Sequence, residues 1–270
     1  MGYLDIIRPV NCAITFVSVL VGARIGRGMH FPLPLILAGI AGFTACAFGN
    51  IVNDLADVEI DRINSPARPL PANRVSRSRI TAEAAGFGLA ALLVSIPLGR
   101  NPFLLVLFTL ILLFLYAFYF KRTMAGNGVV ALIAGLSFIL GGWTAGNNLC
   151  LIPFGFAILI HLSREIVKDV MDIDGDRAGG IRSLPIRFGV RPALILSALP
   201  LILLAGLLPL PFVLKILHLR YLIVVTLGAL PLLAIIIVKL LGKPDRSALI
   251  RLSALIKVVM GIGLVGFFVG

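Results

Sequence analysis

The feature that most limits the fold is a succession of apolar stretches about 20 residues long, joined by short loops that carry most of the charge. A helix of that length rises about 30 Å, the thickness of a bilayer's hydrocarbon core, and in lipid only helices and closed barrels satisfy every backbone amide. With Pro, Gly and charge clusters as stops, nine spans are expected, at 8–26, 33–53, 80–98, 102–120, 128–146, 150–170, 190–210, 219–240 and 249–269. A hydrophobic share of 59%, a charged share of 13% and a mean hydropathy of +1.07 exclude a water-soluble domain of this length. The expectation is one all-α integral membrane domain over residues 1–270. Its first span follows Tyr3–Pro9 without a small-residue cleavage site and reads as a retained helix, not a signal peptide.

The net charge of +12 lies in loops between spans and not along one soluble face, so it does not point to nucleic acid. One side collects Arg8, the Arg62–Arg79 stretch, Lys121, Arg122, the Lys168–Arg191 stretch, Lys239, Lys243, Arg246 and Arg251. Arg24, Arg27, Arg100, Lys215 and Arg220 fall on the other. The positive-inside rule makes the richer side cytoplasmic, and an odd number of spans then places the C-terminus outside a multi-pass protein of the cell membrane. Cys12, Cys46 and Cys150 lack C-x-x-C spacing and read as small core residues. Trp143 reads as an interfacial anchor on the far side.

Chemistry concentrates in Asn50–Asp61 and its echo at Lys168–Asp176. On a helix, positions i, i+3 and i+7 fall within roughly 60° of one another, so Asp54, Asp57 and Asp61 share a face, and Asp169, Asp172 and Asp176 are expected to do the same. Each acid recurs 115 positions later, and each stripe leads into a basic loop, Arg68-Pro-Leu-Pro71 and Arg182-Ser-Leu-Pro185. Carboxylates at membrane depth are costly unless paired or metal-bound. Two acidic faces with arginines above them suit a diphosphate: Mg²⁺ takes one or two carboxylates plus substrate oxygens, and Arg supplies planar donors to the rest. A hydrocarbon attached to that diphosphate would run into the bundle, where a water-poor cavity protects an allylic cation. Asn11, a polar amide inside the first span, is a candidate for the same cavity. His161 reads as a polar contact within the bundle. Lys257 either snorkels or pairs there, with no role assigned.

Asn53-Asp54-x-x-Asp57-x-x-x-Asp61 and Asp169-x-x-Asp172-x-x-x-Asp176 resemble the two signature motifs of the UbiA-type intramembrane prenyltransferases. The resemblance runs from Arg8-Pro9-x-Asn11 to the ninth span. It implies a ring of nine transmembrane helices with two pseudo-repeated acidic motifs under cytoplasmic cap loops, and Mg²⁺-dependent transfer of a prenyl group from a prenyl diphosphate. Carried over by position, Asn50, Asp54, Asp57 and Asp61 would serve one Mg²⁺ site and Asp169, Asp172 and Asp176 the other, with Asn53 beside the first. Arg68, Lys121 and Arg122 would hold diphosphate. The family's tyrosine, four residues before that lysine, is here Ala117, flanked by Tyr116 and Tyr119, with Tyr116 the candidate to face the substrate.

The segment Arg164–Asp176 is similar to the archaeal branch that makes digeranylgeranylglyceryl phosphate. That resemblance implies geranylgeranyl transfer to the free hydroxyl of geranylgeranylglyceryl phosphate, a lipid phosphate whose charge would use Arg8, Arg164 or Lys168. The acceptor's proton would pass to Glu165 or to a diphosphate oxygen. An aromatic acceptor of quinone synthesis is the alternative within the family. Outside it stand a secondary transporter, whose acids would lie near the midplane, and a CDP-alcohol phosphatidyltransferase, whose acids would lie in one segment.

Overall fold

A computed structural model describes residues 4–26 and 32–270; Tyr3 and Arg27 lie outside them. The described residues form helices joined by turns and loops, without strands. Eight helical segments are long and apolar enough to cross a membrane, and a shorter apolar helix, α1 (Pro9–Arg24), precedes them. At 16 residues it rises about 24 Å. The others are α2 (Leu33–Asn64), α3 (Arg77–Ser95), α4 (Arg100–Phe118), α5 (Gly126–Ala145), α6 (Leu151–Met171), α7 (Val190–Leu207), α8 (Leu219–Leu241) and α9 (Arg246–Val269).

Three departures from the sequence expectation bear on function. First, α2 runs eleven residues past the expected end, because Leu55–Ile63 holds no breaker and the chain stops only at Ser65, ahead of Pro66. At 32 residues it rises about 48 Å, so it outlasts the bilayer core and carries the whole first acidic motif on one continuous helix. Second, the matching motif is not on one helix. The chain leaves α6 at Met171, turns at Asp172 (φ −100°, ψ 9°) and resumes as Ile173–Ala178. Asp and Gly at 172–176 are weak helix formers, although Asp172 N still donates to the Lys168 carbonyl and Asp176 N to that of Asp172, both at 2.9 Å. Third, Arg8 stands outside α1. Pro9 disfavours the right-handed helical conformation at the preceding residue, and Arg8 adopts φ 54°, ψ 65°.

Each helix packs on its chain neighbours, and α9 returns to α1, so the bundle closes on itself. The tightest crossing is that of α1 and α5. A Cβ at Gly22 would overlap the backbone of Phe138, and one at Gly141 that of Val19. This is the small-residue contact by which membrane helices approach closely when lipid offers no hydrophobic drive. At the end remote from the acids, Asn147 donates to the carbonyls of Ala23 (3.1 Å) and Ile25 (2.8 Å), and Arg24 reaches α9, donating to the Phe268 carbonyl with its guanidinium 4.5 Å from that ring's centre. In α8, Val225–Ala229 form a π turn just before Pro231, which has no N–H to keep the regular ladder. Trp143 is exposed on α5.

Candidate active site

The closed bundle surrounds a cavity of about 840 Å³. Its deep part is apolar, lined by residues such as Leu136, Phe156, Leu204 and Phe267, and its mouth is where the acids collect. Asp57, Asp61, Asp169, Asp172 and Asp176 all line it, so the turn at Asp172 keeps the second set of carboxylates directed inward. Asn11, Asn50, Asn53, Arg68, Tyr116, Lys121, Arg164, Glu165 and Lys168 line it too. Asp54 lines an adjoining recess with Arg8, Ser65 and Pro66–Pro69. Arg122 is not brought to the cavity: it is exposed, and its carbonyl accepts a bond from Arg182 N at 3.2 Å.

The first acidic motif is neutralised one carboxylate at a time. Asp54 pairs with Arg8 and, at 3.8 Å, with Arg68; Asp61 pairs with Arg68 and Asp57 with Lys121. All three are less than 7% exposed, and such burial is tolerable for a carboxylate only with bases this close. Lys121 also reaches Asn53 Oδ1 at 3.4 Å, while Asn53 Nδ2 donates to Asp57 at 3.0 Å. Asn50 Nδ2 is held by the Ile7 carbonyl (2.9 Å) and lies 3.9 and 3.6 Å from the sulfurs of Cys12 and Cys46, which fixes the amide's orientation at the cavity wall.

The second motif has fewer bases. Asp169 accepts from Asn127 Nδ2 at 2.8 Å. Burial pushes the Asp176 carboxyl up to about 6, with the neighbouring Asp172 charge adding and Lys121 opposing. Burial likewise raises Asp172, against the charges of Lys168, Lys121 and Arg68. That Lys121 and Arg68 act on both motifs shows that the two sets face one another. At Arg68, burial opposes the charge, yet Asp61 and Asp54 hold the guanidinium more firmly protonated than usual. Further along α6, Glu165 accepts from Arg164 (2.8 Å) and Lys168 (2.7 Å), so both its oxygens are engaged. Tyr116 lines the cavity, whereas Ala117 is buried against the neighbouring helices and Tyr119 is 64% exposed.

Sequence reasoning assigned no role to Asn127, although a polar amide between two glycines at a helix start was a visible signal. It also missed the part Cys12 and Cys46 play beneath Asn50, for which nothing local speaks. Arg8, by sequence one of the candidate bases for the acceptor's charge, pairs with Asp54 in the fold.

The sequence profile of the UbiA prenyltransferase family matches residues 15–257. The chain belongs to the UbiA prenyltransferase family. Among its relatives, the digeranylgeranylglyceryl phosphate synthases of Methanococcus aeolicus and Methanothermobacter thermautotrophicus are each 36% identical, over 99% of this chain and 96% and 95% of theirs. A solved structure concerning digeranylgeranylglyceryl phosphate synthase in membranes superposes with a TM-score of 0.80 at 31% identity, covering 99% of this chain and 96% of that one. The fold is shared as well by a UbiA homolog from Archaeoglobus fulgidus bound to DMAPP and Mg²⁺, with a TM-score of 0.72, 18% identity and full coverage of both chains. This UbiA prenyltransferase is therefore a multi-pass membrane enzyme of prenyl transfer, and the transporter and phosphatidyltransferase readings fall away.

Proposed function

We propose that the protein transfers geranylgeranyl from geranylgeranyl diphosphate to the free hydroxyl of geranylgeranylglyceryl phosphate, giving digeranylgeranylglyceryl phosphate. The observation that carries this reading is the meeting of two opposed carboxylate motifs, interleaved with Arg68 and Lys121, at the mouth of a single cavity with an apolar depth. The full-length likeness to synthases of that name supports the choice of donor and acceptor.

The oxygen donors at the mouth, Asp57, Asp61, Asp169, Asp172 and Asp176 with Asn50 and the adjacent Asp54, fit Mg²⁺, a hard cation that takes carboxylate and amide oxygens and not thiolates. When bound, Mg²⁺ neutralises the diphosphate and makes it a better leaving group. Arg68 and Lys121 exchange part of their contact with Asp61 and Asp57 for diphosphate oxygens, and Arg122, the exposed residue next to Lys121, adds charge from outside the cavity. The apolar depth takes the hydrocarbon and excludes water while the C1–O bond breaks. Tyr116 presents its ring beside the reacting carbon, Asn11 and Asn53 present amides, and Arg164 and Lys168 face the acceptor. The acceptor oxygen bonds to C1 and its proton leaves with the diphosphate. Glu165, with both oxygens in ion pairs, is not the base.

In this reading the whole chain acts as one domain with nine spans, α1 included as the ninth, and the acidic mouth faces the cytoplasm under the loops 65–76 and 179–189. An aromatic acceptor such as 4-hydroxybenzoate is disfavoured because its single carboxylate would meet the charges of Arg164 and Lys168 less fully than a phosphate monoester of about −1.5 to −2. The test is to incubate purified protein in detergent with geranylgeranyl diphosphate and Mg²⁺, offering geranylgeranylglyceryl phosphate or 4-hydroxybenzoate, and to identify products by mass. A diether phosphate that disappears with EDTA is expected; a prenylated ring alone would transfer the enzyme to quinone synthesis.

A further inference from the structure

Lys257 sits eleven residues into the 24-residue α9, roughly 17 Å from either end. An ammonium at that depth is costly unless it faces a polar space, and an intramembrane charge marks function by default. It lines the same cavity as Arg164, Glu165 and Lys168. Because α9 packs on α6, the charges of those three residues act on it. Glu165, 6% exposed, accepts from both Arg164 and Lys168, which leaves three cations and one carboxylate around this part of the wall. Arg164 Nε is buried with no hydrogen-bond partner among the described residues, so the cluster holds a donor without an acceptor.

A second constraint comes from depth. Arg164 is five residues, about 7–8 Å of helix, farther from the mouth than Asp169. A prenyl diphosphate anchored at the mouth hangs its C1 carbon below the acids. A hydroxyl attacking C1 must lie beside that carbon, and a phosphate one carbon removed from the carbinol must lie at about the same level. The net charge of the cluster, two positive, matches a phosphate monoester that carries about −1.5 to −2 at pH 7.

We propose that Lys257, together with Arg164 and Lys168, forms the site for the acceptor's phosphate monoester and selects a phosphorylated acceptor over an uncharged one. Glu165 is the positioning residue that holds Arg164 and Lys168 side by side. The proposal rests on the glyceryl phosphate reading above and adds the group that enforces it.

The experiment compares wild type with K257M and K257R in steady-state transfer from geranylgeranyl diphosphate, using geranylgeranylglyceryl phosphate and its dephosphorylated alcohol as acceptors. Loss of one charge-assisted contact raises KM for the phosphorylated acceptor about 10- to 100-fold in K257M, leaves KM for geranylgeranyl diphosphate within about twofold, and shrinks the preference for the phosphorylated acceptor by the same factor. K257R restores most of it. An unchanged preference in K257M, or a parallel rise in the donor's KM, overturns the proposal. Calorimetric binding of dodecyl phosphate, which needs no turnover, separates the two readings. If wild type makes no diether phosphate yet binds the probe about tenfold more tightly than K257M, the phosphate site stands and the acceptor assignment fails. Equal binding by both proteins overturns the site.

Discussion

Asp54 has two guanidinium groups within ion-pair distance, Arg8 and Arg68, and is 5% exposed. Removing one partner of a buried carboxylate leaves charge that the remaining contacts only partly offset. Arg8→Met is therefore expected to lower stability by about 1–3 kcal/mol, the lower end if Arg68 moves in, as measured by thermal unfolding in detergent. The aspartates are expected to behave differently from their bases. Asp54→Ala and Asp169→Ala are expected to cut turnover at least about 10³-fold while the protein remains folded, because each removes a charge the diphosphate site depends on. Full activity in either variant would remove that residue from the site. A pH dependence follows from Asp176, whose carboxyl is pushed up to about 6 mainly by burial. Protons compete with the metal for a carboxylate, so Mg²⁺ affinity is expected to be flat above pH 7 and to fall as pH drops through 6. Titrating Mg²⁺ against the diphosphate-bound protein at pH 5–8 checks it, and a pH-independent affinity would exclude Asp176 as a ligand.

At the scale of elements, the crossing of α1 and α5 holds the wall on which Asn11 and Asn127 sit. No side chain fits at Gly141, where a Cβ meets the Val19 carbonyl, and backbone cannot give way as a flexible side chain can. Gly141→Val is expected to cost about 1–3 kcal/mol or more, or to abolish accumulation of folded protein, whereas Gly155→Ala, with open space around its Cβ, is expected to be nearly neutral. Melting temperatures of the two variants make the comparison. Helix identity was legible in the sequence for every span, because periodicity and hydropathy act within one helix length. The ends were less so. The extension of α2 to Asn64 depends on the absence of a breaker in Leu55–Ile63, which hydropathy does not register once acids appear. The turn at Asp172 depends on four weak helix formers, Asp172, Asp174, Gly175 and Asp176, outweighing a 3.6-residue pattern that was otherwise intact.

For the whole molecule, the orientation proposed from loop charge is open to a direct check. In a protein stripped of Cys12, Cys46 and Cys150, a single cysteine at Asn73 is expected to be labelled only when the cytoplasmic face is accessible, and one at Gly146 only from outside. The reverse pattern would turn the active mouth to the exterior. The sequence by itself determined an all-α membrane bundle, two acidic motifs 115 residues apart and the basic loop after each, since all of these are local patterns of hydropathy, spacing and charge. Tertiary structure decided which charges meet. It joined Arg8 to Asp54 across 46 positions, Lys121 to Asp57 across 64 and Asn127 to Asp169 across 42, turned both motifs onto one cavity, and left Arg122 exposed outside its lining. It also carried Lys257 from α9 to the charges of α6. The physical reason is that such pairs are set by helix crossing and close packing, which depend on side-chain shape across the bundle and leave no periodic trace along the chain.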